Sequence, residues 1–443
     1  MVVRYRPSGR TASEIAASLE SAVASGHYAA GDRLPTVRLL ADQLGVNPNT
    51  VSAAYRSLRD RGVIETSGRR GTRVRQRPAV APRAAVRVTV PPGARDVSTG
   101  NPAPVLLPRL DGVLRRYRSA PVGYDDVDLT PALATAASTH LAETGVPTGF
   151  LAVTSGALDA IERVLGAHLR PGDTVAVEDP GWGSLLDLVA AMGFVAVGVD
   201  VDDEGPVPSS LDRALDGGAR ALVVTSRAQN PTGAAVSASR ARAVRRSLRE
   251  RPGVLVVEDD HAAEVAGAPI SSLVSPTPVT SRWAHVRSLS KSYGPDLRVA
   301  VVAGDESTIA RVRGRFRLGP GWVSHLLQHV AAGMWTEPEL QSRVARAATR
   351  YAARRNALVA ALAREGVTAH GHSGLNVWVP VPDETTAVTS LLASGWAVAP
   401  GARFRISSPP GVRVTITQLA AGDVQPLARA VVKAVTTRAR PGA

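Results

Sequence analysis

The order of apolar and polar positions changes character part-way along the chain. From Thr11 to Ser25, Ile15, Leu19 and Val23 recur every fourth residue, which predicts an amphipathic helix with Ser13 as N-cap and Gly26 as its stop. Thr36 then caps a short helix with Val37, Leu40 and Leu44 inward, ended by Gly45. After Gly45-Val46-Asn47-Pro48, residues Asn49 to Arg61 form a third helix with Val51, Ala54, Tyr55 and Leu58 on its core face. Val63-Ile64-Glu65 and Thr72-Arg73-Val74 read as two short strands around Ser67-Gly68-Arg69-Arg70-Gly71. Beyond them, residues 78–95 are rich in proline and lack a helical period, as in a semi-rigid connector. From residue 96 the pattern becomes an alternation. Apolar runs such as Leu151–Thr154, Thr174–Val177, Val195–Val199, Ala221–Thr225, Val254–Val257, Val286–Leu289 and Val299–Val302 are separated by Ala/Leu/Arg-rich helical stretches. That alternation predicts a doubly wound α/β domain over 96–443.

Charge sharpens the first part of this picture. Residues 1–95 hold 16 arginines against 6 acidic residues, which accounts for +10 of the net +14. A basic segment of this density points to a polyanion partner, and three helices with a basic-tipped hairpin make a winged helix-turn-helix over residues 1–77. A solvated arginine-rich surface is the plain alternative, but a uniform arginine bias would charge both segments alike. There is no cysteine, no apolar leader and no apolar run of membrane-spanning length, so a soluble cytoplasmic protein without disulfides or a metal site is expected.

The chemistry begins with a scarcity. Of 52 basic residues only Lys291 and Lys433 are lysines. A guanidinium stays protonated, whereas an amine can lose its proton and condense with an aldehyde, so Lys291 in Ser288-Leu289-Ser290-Lys291 reads as a Schiff-base lysine for pyridoxal phosphate. Lys433 fits the polar face of a last helix. Turn motifs follow several predicted strands: Ser155-Gly156-Ala157, where a helix start can hold phosphate on backbone N–H groups; Asp179-Pro180-Gly181-Trp182; Asn230-Pro231-Thr232-Gly233; and Glu258-Asp259-Asp260-His261. Singly each is more often a turn than a site. Their order, closed by Lys291 and Arg298, is specific.

Two family resemblances rest on these residues. Gly31-Asp32-Arg33-Leu34-Pro35, Arg38, Leu44-Gly45-Val46, Asn49-Thr50-Val51, Ala54-Tyr55 and Gly71-Thr72 resemble the winged-helix domain of GntR-family bacterial regulators. The resemblance implies that Thr36, Arg38, Asn47, Thr50 and Tyr55 face an operator in double-stranded DNA. The wing would add Arg69, Arg70 and Gly71. Pro48 stands where many relatives have Arg, which removes one expected contact.

Residues 96–443 resemble the fold-type-I aminotransferases, so the whole chain resembles a MocR-type regulator. By that resemblance Lys291 carries the cofactor, and Asp259 rather than Asp260 pairs with its pyridine nitrogen. Asn230 bonds its phenolic oxygen and Trp182 stacks on its ring. Ser155, Gly156, Ala157, Ser288, Ser290 and Arg298 hold its phosphate, with Tyr124 reaching the phosphate from the partner subunit of a homodimer. Arg413 would clamp a carboxylate of the effector, and Asn376 stands on a strand near the same pocket, where a plain core role is equally open. Relatives carry Tyr where this chain has His261. Histidine can replace the donor with a different reach, or simply be satisfied by backbone, and the exchange implies weak turnover, at most a residual transamination half-reaction. Ser98-Thr99-Gly100-Asn101-Pro102, Gly374–Pro380 and Pro400-Gly401-Ala402-Arg403-Phe404 are similar to the PtsJ branch of MocR proteins, tied to vitamin B6 metabolism. The expectation is a regulator sensing a small amino compound or pyridoxal phosphate itself. The rival is a working aminotransferase with an accessory DNA-binding domain.

Overall fold

The computed structural model describes residues 7–24, 27–29, 31–60, 63–66, 71–74, 90–118, 121–126, 128–274 and 277–436. They form two compact units, a small N-terminal one and a large one.

The small unit has helices Ala12–Ala24, Val37–Leu44 and Pro48–Asp60 and an antiparallel pair, Ile64–Thr66 with Thr72–Val74. The first helix is capped by Thr11 rather than Ser13. The Thr11 hydroxyl accepts from the Glu14 N–H at 3.3 Å, and the Glu14 carboxylate accepts from the Arg10 and Thr11 N–H groups. This reciprocal cap needs Glu three residues after the hydroxyl, a spacing that Ser13 lacks. Thr36 caps the second helix through the Leu39 N–H, and Gly45 ends it in the left-handed region at φ 63°. Ile15, Leu19, Leu40, Val51, Leu58, Ile64 and Val74 are buried together, so the periodic positions close one core. The wing-tip residues Arg69 and Arg70 lie outside the described residues.

In the large unit a sheet of eight strands runs in the order Leu151–Thr154, Ala300–Gly304, Arg282–Ser288, Leu255–Asp260, Ala221–Thr225, Thr174–Asp179, Val195–Asp202, Gly205–Pro206. Strands 282–288, 255–260, 221–225 and 174–179 are parallel neighbours. Ala221–Thr225, Leu255–Asp260 and Ala300–Gly304 are buried along their whole length, as strands covered on both faces must be. The sheet is mixed, not uniformly doubly wound: Ala300–Gly304 runs antiparallel to both neighbours. Only a four-residue helix and a 3-10 turn separate it from Arg282–Ser288, too little chain for a parallel crossover.

The C-terminal part adds helices Pro338–Arg364, Glu384–Ala393 and Val424–Thr436 around a sheet of Asn376–Pro380, Gly411–Thr415 and Ala399–Pro400. Arg95 and Asp96 pair with Trp396 and Ala397, so Arg95, expected at the end of the connector, is already a strand residue of the large unit. Lys433 is exposed on the last helix. No described helix is long and apolar enough to cross a membrane.

Candidate functional site

The parallel strands deliver their last residues to one end of the sheet, where open α/β folds collect ligands. Thr174–Asp179 leads to Trp182, Ala221–Thr225 to Asn230, and Leu255–Asp260 ends beside His261, while Arg282–Ser288 runs directly into the helix that carries Lys291. Lys291, Asn230, Trp182 and Arg413 line one cavity of about 130 Å³ together with Thr99, Gly100, Arg403 and Phe404.

Lys291 is the centre of it. Its Nζ donates to the Gly100 carbonyl at 2.8 Å. Burial, then the charge of Arg413, lowers its pKa to about 8, against a smaller opposing pull from Asp259. The amine is therefore held near the point where it loses its proton, which a nucleophilic lysine requires.

The two neighbouring aspartates are in different states. Both oxygens of Asp260 are engaged, by Arg227 at 2.8 and 2.9 Å and by Arg287, and its pKa falls well below the carboxylate range because these cations outweigh burial. Asp259 bonds only His261, Nδ1 to Oδ2 at 3.1 Å, and its Oδ1 is buried with no partner. A carboxylate oxygen left open in this place fits a pyridine N–H. His261 thus braces Asp259 through Nδ1. Its ring lies 6.5 Å from that of Trp182 at an interplanar angle of 26°.

Several of the residues expected to hold the phosphate lie close to one another. Gly156 has φ 98° at the start of helix Ala157–His168, and a Cβ there would meet the Arg298 guanidinium at 2.9 Å. Arg298 itself adopts φ 48° and donates to the Ser155 carbonyl at 2.8 Å. The Ser290 hydroxyl is buried without a partner, while Ser288 Oγ accepts from the Ser290 N–H. An amine, an open carboxylate, a helix start and an arginine together fit pyridoxal phosphate.

Arg413 is buried. It donates to Asn230 Oδ1 at 2.9 Å and to the Ser98 carbonyl, its guanidinium lies 4.8 Å from the Phe404 ring centre, and its Nε has no partner. Tyr124 is 94 % exposed and touches Trp322 edge-on, so it serves nothing in its own chain's cavity.

Two residues with two readings each take the plainer one. Asn376 does not line the cavity. Its Oδ1 accepts from Thr415 Oγ1 at 3.0 Å, and that oxygen in turn accepts from the Gly100 N–H, so it stands behind the site as a core residue. Tyr55 does not face outward: it is buried, and its hydroxyl donates to the Pro35 carbonyl at 2.7 Å. Of the other small-unit residues, Arg38 is exposed and Thr50 half-buried. The Asn47 side chain accepts from the Asn49 N–H, as Thr36 does from Leu39. Gly71 takes φ 77° with the Arg33 guanidinium against it.

Sequence reasoning missed the carbonyls of Ser98 and Gly100, which hold both cations, and Asp179. The Asp179 carboxylate accepts from the Ile406, Ser407 and Ser408 N–H groups and from both serine hydroxyls, tying strand Thr174–Asp179 to the loop after Phe404. It also missed Glu178. Burial pushes this carboxyl up to about 8, while Thr225 and Gln229 bond it from the sides.

The "Aminotransferase class I and II" family model matches residues 122–431, and the model "Bacterial regulatory proteins, gntR family" matches 11–74. The chain is 41% identical over 422 residues to the vitamin B6 salvage pathway transcriptional repressor PtsJ of Salmonella typhimurium, covering 95% of this chain and 97% of that one. It is 28% identical over 350 residues to the pyridoxine biosynthesis regulator PdxR of Corynebacterium glutamicum, covering 75% of each. Among solved structures, kynurenine aminotransferase of Pyrococcus horikoshii superposes with a TM-score of 0.71 at 20% identity, covering 77% of this chain and 91% of that one. LysN, the α-aminoadipate aminotransferase of Thermus thermophilus, superposes with a TM-score of 0.66 at 23% identity over 79% and 97%. The chain therefore belongs to the GntR-type bacterial regulators whose second domain is a class I and II aminotransferase, the MocR type.

Proposed function

We propose that this chain is a cytoplasmic transcriptional regulator that binds an operator in double-stranded DNA through its winged helix-turn-helix, with its affinity set by pyridoxal phosphate in the aminotransferase-like domain. The observation that carries the reading is Lys291 with a lowered pKa near the open oxygen of Asp259, in the same chain as a GntR-type unit that exposes Arg38. PtsJ is a repressor of vitamin B6 salvage and PdxR a regulator of pyridoxine biosynthesis, which favours pyridoxal phosphate itself as the effector over a small amino compound.

Bound in the pocket, pyridoxal phosphate supplies an aldehyde that condenses with an amine and a ring that draws off electrons. The chain's residues do the rest. Lys291 would hold the group covalently and Asp259 would receive the ring N–H, with His261 fixing Asp259. Trp182 would cover the ring face, Asn230 would meet the phenolic oxygen, and Gly156, Ser290 and Arg298 would receive the phosphate. Tyr124 would act in the partner subunit of a homodimer. A ligand so held shifts DNA binding only by its differential affinity for two states of the protein.

The test compares operator affinity of the full chain with and without pyridoxal phosphate, and of Lys291→Ala. Equal operator affinity in all three would refute the sensor. Transamination at ordinary enzymic rates, on the order of 10 per second, would favour the second reading, an aminotransferase with an accessory DNA-binding domain. The intact Lys291 and Arg413 keep that reading in play, and the His261 exchange counts against it.

A further inference from the structure

The helix that carries Lys291, Ser290–Tyr293, is a single turn, and a turn of that length does not hold its own shape in water. It is tied down from outside. Ser292 is buried, and its hydroxyl donates to Glu264 Oε2 at 2.6 Å. Glu264 belongs to the 3-10 turn Ala263–Val265, which follows strand Leu255–Asp260. Its other oxygen, Oε1, accepts from Arg287 at 3.1 Å and from the indole N–H of Trp335 at 3.1 Å. Burial alone would raise the Glu264 pKa, but the charge of Arg287 and the bond from Ser292 outweigh it, so the group is a carboxylate at neutral pH.

Arg287 extends the connection. It also donates to Asp260 Oδ2, and Arg227 holds Asp260 from the other side. Asp260 and Ser292 are the chain neighbours of Asp259 and Lys291. The charge-assisted bonds Asp260–Arg287–Glu264–Ser292 therefore run between the backbones of the two residues that meet a cofactor at opposite ends, ring nitrogen and aldehyde. None of these four residues lines the cavity. A buried ionic network adds little stability over well-packed apolar side chains, so folding alone does not account for it. What it adds is a fixed geometry.

Geometry matters differently for the two ways a cofactor is held. Ring and phosphate contacts do not involve the lysine. Covalent attachment does: the lone pair of the neutral amine forms the C=N bond, and the aldehyde oxygen leaves as water with both amine hydrogens. Such a step slows about a hundredfold when a reacting atom is displaced on the order of 1 Å. We propose that Glu264, acting through Ser292, is a positioning residue that sets where the Lys291 amine stands relative to Asp259, and so governs covalent attachment of pyridoxal phosphate but not its non-covalent binding. The inference rests on the reading of this pocket as a cofactor site.

The experiment uses the full chain freed of cofactor and two ligands. Pyridoxal phosphate and pyridoxine 5′-phosphate share ring and phosphate, but only the first carries the aldehyde. Binding of pyridoxine 5′-phosphate by the unaltered chain tests the cofactor reading, and the difference between the two ligands tests the network, so the two failures are distinguishable. In Ser292→Ala the rate of covalent attachment, followed by stopped-flow absorbance, should fall by about tenfold or more. The borohydride-reducible fraction should drop with it, while equilibrium dialysis finds pyridoxine 5′-phosphate bound as by the unaltered chain. Ser272→Ala is the control: Ser272 donates to the buried Glu258 at 2.6 Å, a bond of the same kind and length to a different carboxylate, and its loss should change neither ligand. Glu264→Ala should reproduce the behaviour of Ser292→Ala. Equal loss for both ligands, no loss in Ser292→Ala, or the same split in Ser272→Ala overturns the proposal. Should Glu264→Ala fail to fold, the two serine variants decide.

Discussion

At the scale of single residues, the site is organised by what each charge is allowed to do. Lys291 is buried and loses its proton at about 8 instead of the ordinary 10.5. The neutral amine attacks the aldehyde, so the rate at which the apo protein takes up pyridoxal phosphate should climb through pH 7 to 9 and then level off. Stopped-flow absorbance checks this, and a rate independent of pH over that range would contradict it. For stability, the fold gives up this proton at lower pH than the unfolded chain does. The buried lysine's penalty therefore fades as pH rises from about 8 towards 10.5, and Lys291→Ala should lose that rise. Several of these residues were legible in the sequence because scarcity or position marked them: a lone central lysine among arginines, and Asp259 and Asn230 at the ends of apolar runs. Others were not. Ser98 and Gly100 act through backbone carbonyls, which leave no trace in residue type. Periodicity put Tyr55 in the core while the family resemblance turned it to DNA, and Asn376 was open either way; packing against elements far away in the chain, here Pro35 and Thr415, decides which way each side chain turns.

At the scale of elements, helix starts and ends carried most of the readable information. Thr36, Gly45 and the Ser155-Gly156-Ala157 junction each named an end, because only certain residues satisfy or relieve the backbone there. Strand direction was less readable: a β-branched run looks the same whichever way it points, and the antiparallel Ala300–Gly304 is set by the shortness of the link before it. The glycine at the phosphate cup gives a sharp prediction. Gly156→Ala needs a side chain at φ 98° and presses on Arg298, so affinity for pyridoxal phosphate should fall tenfold or more while the fold persists. Equilibrium dialysis measures it, and unchanged affinity would remove Gly156 from the cup. In the small unit, Arg38 is exposed near the start of helix Val37–Leu44, whereas Tyr55 is internal. Arg38→Ala should weaken operator binding by about 1–3 kcal/mol with unchanged melting. Tyr55→Phe, which loses the bond to Pro35, should lower stability by about 1 kcal/mol and leave the operator affinity of the folded protein alone. The reverse pattern in gel-shift and melting assays would restore Tyr55 to the DNA face.

At the scale of the whole molecule, the proposed homodimer gives Tyr124 a role in the partner subunit. Tyr124 stands 94 % exposed, and Val122 and Leu318 are exposed as well, at 40 % and 91 %. Their exposure leaves them free to meet a second copy of the chain, as the proposed homodimer requires. If the proposed homodimer puts Tyr124 into the partner's cofactor site, two defects on different chains can complement each other. A Lys291→Ala chain lacks the covalent anchor but offers a sound Tyr124, and a Tyr124→Ala chain has the reverse. In a mixed dimer one site then combines both defects and the other has neither. Random pairing of equal amounts makes half the dimers mixed, so about a quarter of all sites should be intact. Neither variant alone should hold pyridoxal phosphate as the unaltered protein does: Lys291→Ala loses the borohydride-reducible adduct, and Tyr124→Ala binds with reduced affinity. Unfolding and refolding the two together should bring back tight, reducible cofactor in that fraction, read by absorbance after gel filtration. Subunit exchange is verified independently with two affinity tags. Verified mixed dimers without any recovery, or a Tyr124→Ala protein that binds cofactor like the unaltered chain, would show that each chain builds its site alone.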